Sequence, residues 1–347
     1  MKIALVINDF QTEEPNFTTT ELAMTATALG HEVFYISVAD FTYAPDGTIC
    51  ARARKVRPKQ YNSCSAYLHE LRNANATHMD VEALDVLMLR NDPAQDVAAR
   101  PWALFAGITF GRLAARHGVI VLNDPDGLMQ SINKMYLQYF PEEVRPITLI
   151  SRDREAILVF IKERGGSAVL KPLAGSGGQD VFLITPQEPN INQIIDTVCD
   201  DGYVIAQEHL PNAAKGDSRL LLMNGRPLQC EGKYAAIRRV RGKKGNDIRS
   251  NLAAGAQVAK AQVSDSMLQL AEIIRPKLVQ DGMFLVGIDI IDNKLTEINV
   301  FSPGGLLRAR EFEGVAFSHE IMHALQRKVE HRRRYHDRLD NLEIATL

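Results

Sequence analysis

Three oxygen-bearing side chains, Asp289, Glu297 and Asn299, have the types and spacing of a site for a hard metal ion. They lie in the segment 284–305, FLVGIDIIDNKLTEINVFSPGG, which predicts two apolar strands joined by a tight polar turn. Carboxylate and amide oxygens suit Mg²⁺, which usually keeps some water and bridges to nucleotide phosphates. The alternative is a solvated hairpin face. The apolar neighbours argue against it, because an unpaired acidic cluster among them would be costly.

The metal-site prediction depends on the register of this hairpin. The two-residue repeat of a strand puts Glu297 and Asn299 on the same face. If the turn has three residues, Asp292, Asn293 and Lys294, then Asp289 lies opposite Glu297. The same turn places Ile291 opposite Leu295. In that register the two carboxylates and the amide converge on one patch of the sheet.

A glycine-rich loop supplies a second candidate feature. Residues 174–178, AGSGG, lie between two predicted strands and begin three residues after Lys171. Glycines let backbone N–H groups approach phosphate oxygens, and a nearby lysine adds positive charge. The loop is neither a Walker A sequence nor a GxGxxG that opens a helix. Alone it is as consistent with a flexible turn as with a phosphate cover, and Lys134, on a predicted helix, is equally unspecific alone.

A strand exit supplies the third feature. Gln207, Glu208, His209 and Leu210 follow a predicted strand and precede Pro211. Such a segment can act as a hinge whose backbone reads an adenine edge. We do not expect His209 to be a metal ligand or a base.

Composition indicates a soluble cytoplasmic enzyme. The chain has 347 residues, 46% of them hydrophobic, and a formal charge of -2, so no global field favours nucleic acid or an anionic membrane. No apolar run approaches the roughly 20 residues of a spanning helix, and the N-terminus lacks a signal-peptide pattern. The four scattered cysteines, without CxxC spacing, fit reduced thiols.

The elements that must position these residues begin with a βαβ unit. Residues 2–7 and 31–37 read as strands and residues 18–29 as a helix, which predicts a parallel sheet. A polar segment then extends to about residue 78, and NDPDG (123–127) predicts a domain boundary. Beyond it we expect helices at 129–140, 153–164 and 191–199 and strands at 147–150, 168–170, 181–184 and 203–207. The basic run 326–334 is typical of a solvated helix end.

The order of these features closely resembles the ATP-grasp superfamily and, within it, the bacterial glutathione synthetases. The resemblance extends from the N-terminal strand to about residue 327. Its most specific segments are VLKPLAGSGG (169–178), GDSR (216–219), RSNLAAGA (249–256) and LVGIDIIDNKLTEINVFSP (285–303), with further matches in LMLRNDP (87–93) and LNDPDGL (122–128).

The resemblance implies an α/β protein with an ATP-grasp fold, α+β in its lid, behind an N-terminal parallel-sheet domain. Residues 1–124 would form this pre-ATP-grasp domain on the peptide-substrate side, and 125–206 the small or lid subdomain. Residues 207–330 would form the central subdomain with the Mg²⁺, ATP and substrate site. Residues 331–347 would be a charged tail.

The implied activity is ATP-dependent ligation of a carboxylate and an amine through an acyl phosphate. The implied small-molecule substrates are γ-glutamylcysteine and glycine, with two Mg²⁺ ions, or Mn²⁺, and a dimeric or tetrameric assembly. No side-chain nucleophile is required, since the chemistry needs cations where negative charge develops.

Roles carry over where the motifs match. ATP phosphates would meet Lys134, Lys171 and the loop residues Gly175, Ser176, Gly177 and Gly178. The adenine hinge would be Gln207, Glu208, His209 and Leu210, with Asp217 near the ribose. Asp289, Glu297 and Asn299 would hold the metal ions. The reacting groups would meet Arg219, Arg239 and Arg249, with Arg238 and Arg241 close enough to compete with Arg239. Substrate contacts would come from Arg90, Asn251, Ser302, Gly304 and Gly305.

Three departures leave the organic substrates open. FSPGGLLRARE (301–311) replaces a family segment such as TSPT that leads to Arg-Glu, and should bind the acceptor carboxylate through backbone N–H groups. Ala94 and Gln95 replace Pro-Phe, and Glu208 replaces a neutral residue. We favour glycine as acceptor because no bulky pocket-forming residue is evident.

Three other interpretations of the sequence are open. One is an ATP-grasp ligase for another small amino acid or peptide. Another is a non-catalytic nucleotide-binding protein, against which Arg219, Arg249, Glu297 and Asn299 argue. A nicotinamide dehydrogenase is disfavoured by the glycine spacing.

Overall fold

The computed structural model describes residues 1–175, 180–200, 202–240, 257–336 and 338–347. Within these ranges the chain forms three successive sheets, joined by helices, and a short two-stranded ribbon.

The first sheet belongs to the N-terminal part of the chain. Its strands are β1 (Lys2–Ile7), β2 (Glu32–Tyr43), β3 (Ile49–Lys55), β4 (Ala76–Asp80), β5 (Val86–Leu89) and β6 (Ile120–Leu122), packed with α1 (Thr18–Ala28), α2 (Cys64–Asn73) and α3 (Ala106–Arg116). The strand order is β4-β3-β2-β1-β5-β6. β1 runs parallel to β2 and β5, and β5 runs parallel to β6. The predicted βαβ unit and parallel sheet are therefore confirmed.

The polar segment after β2 contains two strands that its sequence did not predict. β3 and β4 extend the sheet with antiparallel pairs. In β3, Ile49, Ala51 and Ala53 are buried and alternate with more exposed residues such as Arg52. The two-residue repeat is present, but two of its three apolar positions are alanines, which give a weak hydrophobic signal.

The second sheet is antiparallel and has its own core. Its strands are β7 (Thr148–Ser151), β8 (Ala168–Pro172), β9 (Phe182–Ile184) and β10 (Val204–Glu208), in the order β7-β10-β8-β9, with helices α5 (Arg154–Glu163) and α6 (Ile191–Asp200). Ile157, Ile195 and Leu170 belong to an apolar cluster within this unit. The strands and helices predicted here are found within two residues of their expected ends.

The helix expected over residues 129–140 is two shorter elements. α4 (Pro125–Gln130) ends at Ser131, and a 3₁₀ helix follows over Lys134–Tyr139. Asn133 explains the break, because its backbone is extended and its Oδ1 accepts a hydrogen bond from the N–H of Met135, as at a helix start.

The third sheet carries most of the candidate site. Its strands are β11 (Asp217–Met223), β12 (Arg226–Pro227), β15 (Ala236–Val240), β16 (Gln257–Lys260), β17 (Leu285–Ile291) and β18 (Lys294–Asn299); β13 (Gln229–Cys230) and β14 (Lys233–Tyr234) form the ribbon. The order is β16-β15-β11-β17-β18 with antiparallel neighbours, and β12 pairs with β11. α7 (Asp265–Gln280) packs against it. One apolar cluster runs from Leu87 in β5 to Leu220 in β11, so the first and third sheets share a core.

The chain ends in α8 (Leu306–Glu313), α9 (Phe317–Tyr335) and α10 (Asn341–Thr346). The prediction that residues 326–334 are a solvated helix end is wrong for Lys328, which is 0% exposed. Its Nζ donates to the carbonyls of Ile344, Ala345 and Leu347 at 2.9–3.0 Å and to Asn224 Oδ1 at 3.0 Å. These acceptors replace the water that a lysine loses on burial.

Residues 331–347 do not project freely from the molecule. In α10, Asn341 Oδ1 accepts from the N–H of Val121 at 2.7 Å, and its Nδ2 donates to the carbonyl of Val121 at 2.9 Å. Ile344 and Ala345 are buried in the core beside β6. Across the described ranges, no helix combines the length and apolar character needed to cross a bilayer.

Candidate active site

The hairpin of β17 and β18 has a different turn from the one predicted, but it brings the same two acids together. Ile291 pairs with Lys294, not with Leu295, across a two-residue turn in which Asp292 and Asn293 have φ of 50° and 61°. This is the backbone that tight hairpins favour. The predicted pairing of Ile291 with Leu295 is therefore wrong.

A bulge restores the register at the acids. The pairing shifts between Asp289 and Ile290, so that Thr296 is an extra residue and Asp289 still lies opposite Glu297. Thr296 Oγ1 donates to the carbonyl of Asp289 at 3.0 Å. Asn299 Nδ2 is 3.3 Å from Asp289 Oδ2. The structure thus brings Asp289, Glu297 and Asn299 to one face.

Two arginines bind the acid at the centre of this face. Arg219 Nε and Nη2 donate to the two oxygens of Asp289 at 2.7 and 2.8 Å, and Arg239 Nη2 donates to Oδ2 at 2.6 Å. Burial alone would raise the pKa of Asp289, which is 1% exposed, but Arg219 and Arg239 hold that pKa well below its usual range. At Glu297, burial and the neighbouring charge of Asp289 raise the pKa.

The register also shows which arginine of the predicted group lies on this face. Arg239 pairs with Asp217 across β15 and β11 and is bonded to its carboxylate, on the face of Arg219 and Asp289. Arg238 pairs with Ser218, so its side chain lies on the opposite face, where Nη2 donates to the carbonyl of Lys215 at 3.2 Å. Arg241, Arg249 and Asn251 lie outside the described residues.

Two lysines from the second sheet region lie near the acids. Lys134 Nζ donates to the carbonyls of Pro172, Ala174 and Gly175 at 3.1, 3.1 and 2.7 Å, and burial lowers its pKa to about 8. Lys171 donates to Gln207 Oε1 at 3.2 Å, and burial likewise lowers its pKa. Both lysines are therefore held where the glycine-rich loop leaves β8. Ser176, Gly177 and Gly178 lie outside the described residues.

Several of these groups line a common open cleft. Lys134, Lys171 and Gln207 line it beside β8 and β10, while Glu297 and Asn299 line it from β18. Other described lining residues come from the loop after β5 and from the start of the 301–305 segment, namely Asp92, Pro93, Ala94, Phe301 and Ser302.

A second, more apolar cavity adjoins the cleft, since Gln207 and Thr296 line both. Its walls are mainly aliphatic and fit a flat aromatic ring. Glu208, His209 and Leu210 form its rim. The lining aliphatic residues are Val169, Val181, Leu183 and Ile291.

The predicted substrate residues occupy different environments. Arg90 is 4% exposed, and it donates to Thr19 Oγ1 and to the carbonyl of Pro303, each at 3.2 Å. Burial lowers its pKa to about 10. Gly305 has φ +113°, and a Cβ there would lie 2.9 Å from Ile237 Cδ1. The positive φ favours glycine here, whereas the contact alone could be relieved by a small movement of the Ile237 side chain. Gly304 has open space around it, and Ser302 lines the cleft.

Tyr136 and Asp92 also line the cleft, although the sequence motifs did not indicate a role for either residue. Tyr136 lies two residues after Lys134 in the same 3₁₀ helix, and its hydroxyl donates a hydrogen bond to Asp281 Oδ2 at 2.6 Å. The feature of the sequence that could have indicated Tyr136 is its position two residues after Lys134. Asp92 follows β5. Its position after the carboxyl end of a buried strand in a parallel sheet could have indicated it, because ligands bind at such ends.

Solved structures with this architecture include the ATP-grasp ligase PsnB, which matches with a TM-score of 0.58 and 16% identity, covering 94% of this chain and 99% of that chain. D-cycloserine synthetase DcsG matches with a TM-score of 0.62 and 15% identity, covering 93% of this chain and 99% of that chain. D-alanyl-alanine synthetase A from Vibrio cholerae O1 matches with a TM-score of 0.57 and 12% identity, covering 95% and 98%. At these identities the comparison shows the fold, which is the ATP-grasp fold.

Sequence comparison gives the family. The profile for the prokaryotic glutathione synthetase N-terminal domain matches residues 1–129, and that for its ATP-grasp domain matches residues 133–314. The glutathione synthetase of Synechocystis sp. (strain PCC 6803) is 32% identical over 94% of this chain and its own full length. That of Gloeobacter violaceus is 32% identical over 93% of this chain and 95% of its own. The chain therefore belongs to the prokaryotic glutathione synthetase family.

The fold class, family and enzyme class expected from the sequence are thus confirmed. The protein is an ATP-dependent ligase that acts on small-molecule substrates. The residue roles and the domain boundaries stay predictions.

Proposed function

We propose that this enzyme is a glutathione synthase, which joins γ-glutamylcysteine to glycine with conversion of ATP to ADP and phosphate. The observation that carries the proposal is the charged face on β11, β15, β17 and β18. There Arg219 and Arg239 surround Asp289, and Glu297 lines the same cleft as Lys134. This is the charge pattern needed to bring a carboxylate to a triphosphate.

The reaction has two steps. An oxygen of the cysteine carboxylate attacks the γ-phosphorus, the bond from this phosphorus to the bridging oxygen breaks, and ADP leaves. The glycine nitrogen then attacks the acyl carbon, loses a proton, and expels phosphate. Because both partners of the first step are anions, fixed cations favour it by meeting the charge where it develops.

Within this proposal, Arg219 contacts the reacting phosphoryl or carboxylate group. Arg239 lies between Asp217 and Asp289, so we assign it to holding Asp289 and, through it, Arg219. Arg249 and Asn251 keep their predicted roles. The predicted ribose contact of Asp217 is kept as a proposal, although its carboxylate is bonded to Arg239.

The nucleotide would extend across both cavities. The aliphatic cavity beside Gln207–Leu210 accepts adenine, and Lys134 and Lys171 meet the phosphates with the loop 175–178. The three carbonyl acceptors of Lys134 lie at the exit of β8, so this lysine also holds the start of that loop.

The acidic face offers oxygen ligands that suit magnesium. Among the described residues no group of three or more His, Cys, Asp or Glu could hold a metal, and the candidate set is two carboxylates and an amide. These are hard oxygen donors, converging on one face, and a triphosphate would supply further oxygens. We propose that Asp289, Glu297 and Asn299 hold two Mg²⁺ ions, with Mn²⁺ as an alternative. A bound ion would screen the charge of the triphosphate, and Asp289 would share its carboxylate between metal and arginine.

A second candidate function is ligation of a different small acceptor or peptide donor. The observation that favours it is at Gly304, where an added Cβ would have no heavy atom within 4 Å. The segment proposed to bind the acceptor therefore leaves open space at this position, which a larger acceptor could occupy. The relatives named glutathione synthetase support glycine instead.

The wider assignments complete the proposal. We propose a cytoplasmic homo-oligomer, a dimer or tetramer, organised in domains at 1–124, 125–206 and 207–330 with residues 331–347 as the C-terminal segment. Its substrates are small molecules rather than nucleic acid or membrane lipid. Sedimentation equilibrium tests the assembly, with an expected mass of two or four times 38.6 kDa.

The decisive experiment is phosphate release with ATP, Mg²⁺ and γ-glutamylcysteine, in the presence of glycine, alanine, serine or no acceptor. Glycine-dependent release, with glutathione identified by mass spectrometry, supports the proposal. Turnover with another acceptor alone supports the second candidate. No amine-dependent release under any condition overturns both.

A further inference from the structure

The loop after β5 of the N-terminal sheet lines one side of the cleft, at the point where the order of the strands reverses. β1 pairs with β2 on one side and with β5 on the other, so the strand order reverses between β1 and β5. In open parallel sheets, ligands bind in the crevice outside the carboxyl ends of the strands at such a point. Asn8 follows β1 and Asp92 follows β5. Asp92 lines the cleft that also contains Lys134 and Glu297.

Asp92 is held in place by its surroundings. Its N–H donates to Asn8 Oδ1 and its carbonyl accepts from Asn8 Nδ2, both at 2.8 Å. Its carboxylate accepts from the N–H of Ala94 at 3.1 Å and from Gln95 Nε2 at 3.3 Å. A carboxylate fixed in this way needs little reorganisation to bind a ligand.

The neighbouring acids lie away from the cleft. Asp96 is bonded to Arg100 at 2.6 Å and to Asn8 Nδ2 at 2.7 Å, and Asp9 is 3.6 Å from Arg100. Neither acid is among the described residues that line the cleft. Of those lining residues, the carboxylic acids are Asp92 and Glu297.

The chemistry of the donor calls for an acid on this wall. γ-Glutamylcysteine carries an α-ammonium group at the end remote from its reacting carboxylate. A cation moved from water into a cleft needs hydrogen-bond acceptors, and a carboxylate binds it more strongly than a neutral oxygen does. Lys134, Lys171 and Arg219 suit anions, and Glu297 lies on the face proposed for metal. We propose that Asp92 binds the α-ammonium of the γ-glutamyl end of the donor and so selects donors that carry it. This inference rests on the proposed glutathione synthase activity.

The proposal is tested by deleting the charge from each side of the contact. The two donors are γ-glutamylcysteine and N-glutarylcysteine, which has hydrogen in place of the ammonium. We expect the wild-type enzyme to prefer γ-glutamylcysteine in kcat/KM by about ten- to a hundredfold, as for hydrogen bonds to charged groups. Asp92→Asn lowers this preference to a few-fold by losing activity on γ-glutamylcysteine alone. Asp92→Glu, which keeps the charge, retains part of the preference.

Asp9→Asn is the matched control, because it removes an acid from the same end of the sheet that does not line the cleft. It should keep the wild-type preference. An unchanged preference in Asp92→Asn, or an equal loss with both donors, overturns the proposal. A rise in KM for ATP as large as that for the donor also overturns it, by assigning Asp92 to the nucleotide.

Two further outcomes are separable. If Asp92→Asn has no measurable turnover, calorimetric titration of wild-type and variant protein with the two donors gives the same comparison from dissociation constants. If the wild-type enzyme does not use γ-glutamylcysteine, the proposed function itself fails, and this is seen before any variant is compared.

Discussion

Arg219 and Asp289 lie opposite each other on the neighbouring strands β11 and β17 and are joined by two hydrogen bonds of 2.7 and 2.8 Å. The Arg219 side chain also passes close to two glycines. A Cβ on Gly287 would lie 3.5 Å from Arg219 Cδ, and one on Gly305 would lie 3.9 Å from it. The arginine is therefore fixed between the acidic face and the 301–305 segment, and a change in either will move it.

Replacing Glu297 by alanine should abolish ligation while leaving the fold intact. The change removes a cleft-facing acid from the sheet without emptying the apolar core. We expect phosphate release to fall by at least about a hundredfold, as when one electrostatic group is lost from an active site. The thermal midpoint should change by a few degrees at most. Glu272→Ala, at an exposed position of α7, is the control and should behave as wild type. Wild-type turnover in Glu297→Ala would contradict the assignment of this face.

Two adjacent arginines offer a matched pair for testing the buried ion network. Arg239→Met removes the cation between Asp217 and Asp289, and loss of one partner from a buried ion pair costs about 3 kcal/mol. Arg238→Met, on the opposite face, should cost less than about 1 kcal/mol. Urea unfolding and phosphate release measure both effects. Equal destabilisation, or loss of turnover in the Arg238 variant alone, would contradict the face assignment made from the register.

The hydrogen bond from Tyr136 to Asp281 should position Lys134. Tyr136→Phe keeps the ring but loses this bond, while Lys277 still pairs with Asp281 at 2.7 Å. We expect about 1 kcal/mol less stability and a severalfold rise in KM for ATP with a smaller change in kcat. Tyr139→Phe, at an exposed position of the same 3₁₀ helix, is the control. Indistinguishable kinetics for the two variants would remove Tyr136 from this role.

A buried acid near Arg90 should make stability depend on pH. Burial, opposed in part by Arg90, raises the pKa of Glu13 from 4.5 to about 7. Between these values the folded state binds more protons than the unfolded state, so the contribution of Glu13 to stability falls as pH rises from about 4.5 to 7. Glu13→Gln should therefore gain stability over wild type across this window, by on the order of 2–3 kcal/mol. Denaturant unfolding at several pH values measures the difference. Glu14→Gln, at the neighbouring exposed position, should show no such gain.

The candidate site could be predicted from the sequence where one local rule decides the geometry. The two-residue repeat places Glu297 and Asn299 on one face whatever the turn. The partner of Glu297 was correct for a different reason, because the bulge at Thr296 offset the shorter turn. Bulges arise from tertiary contacts such as the bond from Thr296 to the Asp289 carbonyl, and the sequence pattern does not reveal them.

Other features depend on partners that are distant in the chain. The register of β11 and β15 is what separates Arg239 from Arg238, and no local signal does so. Lys328 can be buried because carbonyls of α10 accept hydrogen bonds from its ammonium group, whereas a charged run predicts exposure. The hydrogen bond from Arg90 to the Pro303 carbonyl joins residues 213 positions apart, and no local pattern indicates it, while the substrate role of Arg90 stays a prediction.

The side-chain amide of Asn341 is hydrogen-bonded to both the backbone N–H and the C=O of Val121 on β6, one of the two edge strands of the N-terminal sheet. An outermost strand with free backbone groups is a template on which strands of other molecules can add. The side chain of one asparagine therefore makes the two hydrogen bonds that a neighbouring strand would make to Val121, and so protects this edge of the sheet from self-association. Asn341→Ala would expose the edge, and the variant should aggregate at protein concentrations at which the wild type stays dispersed.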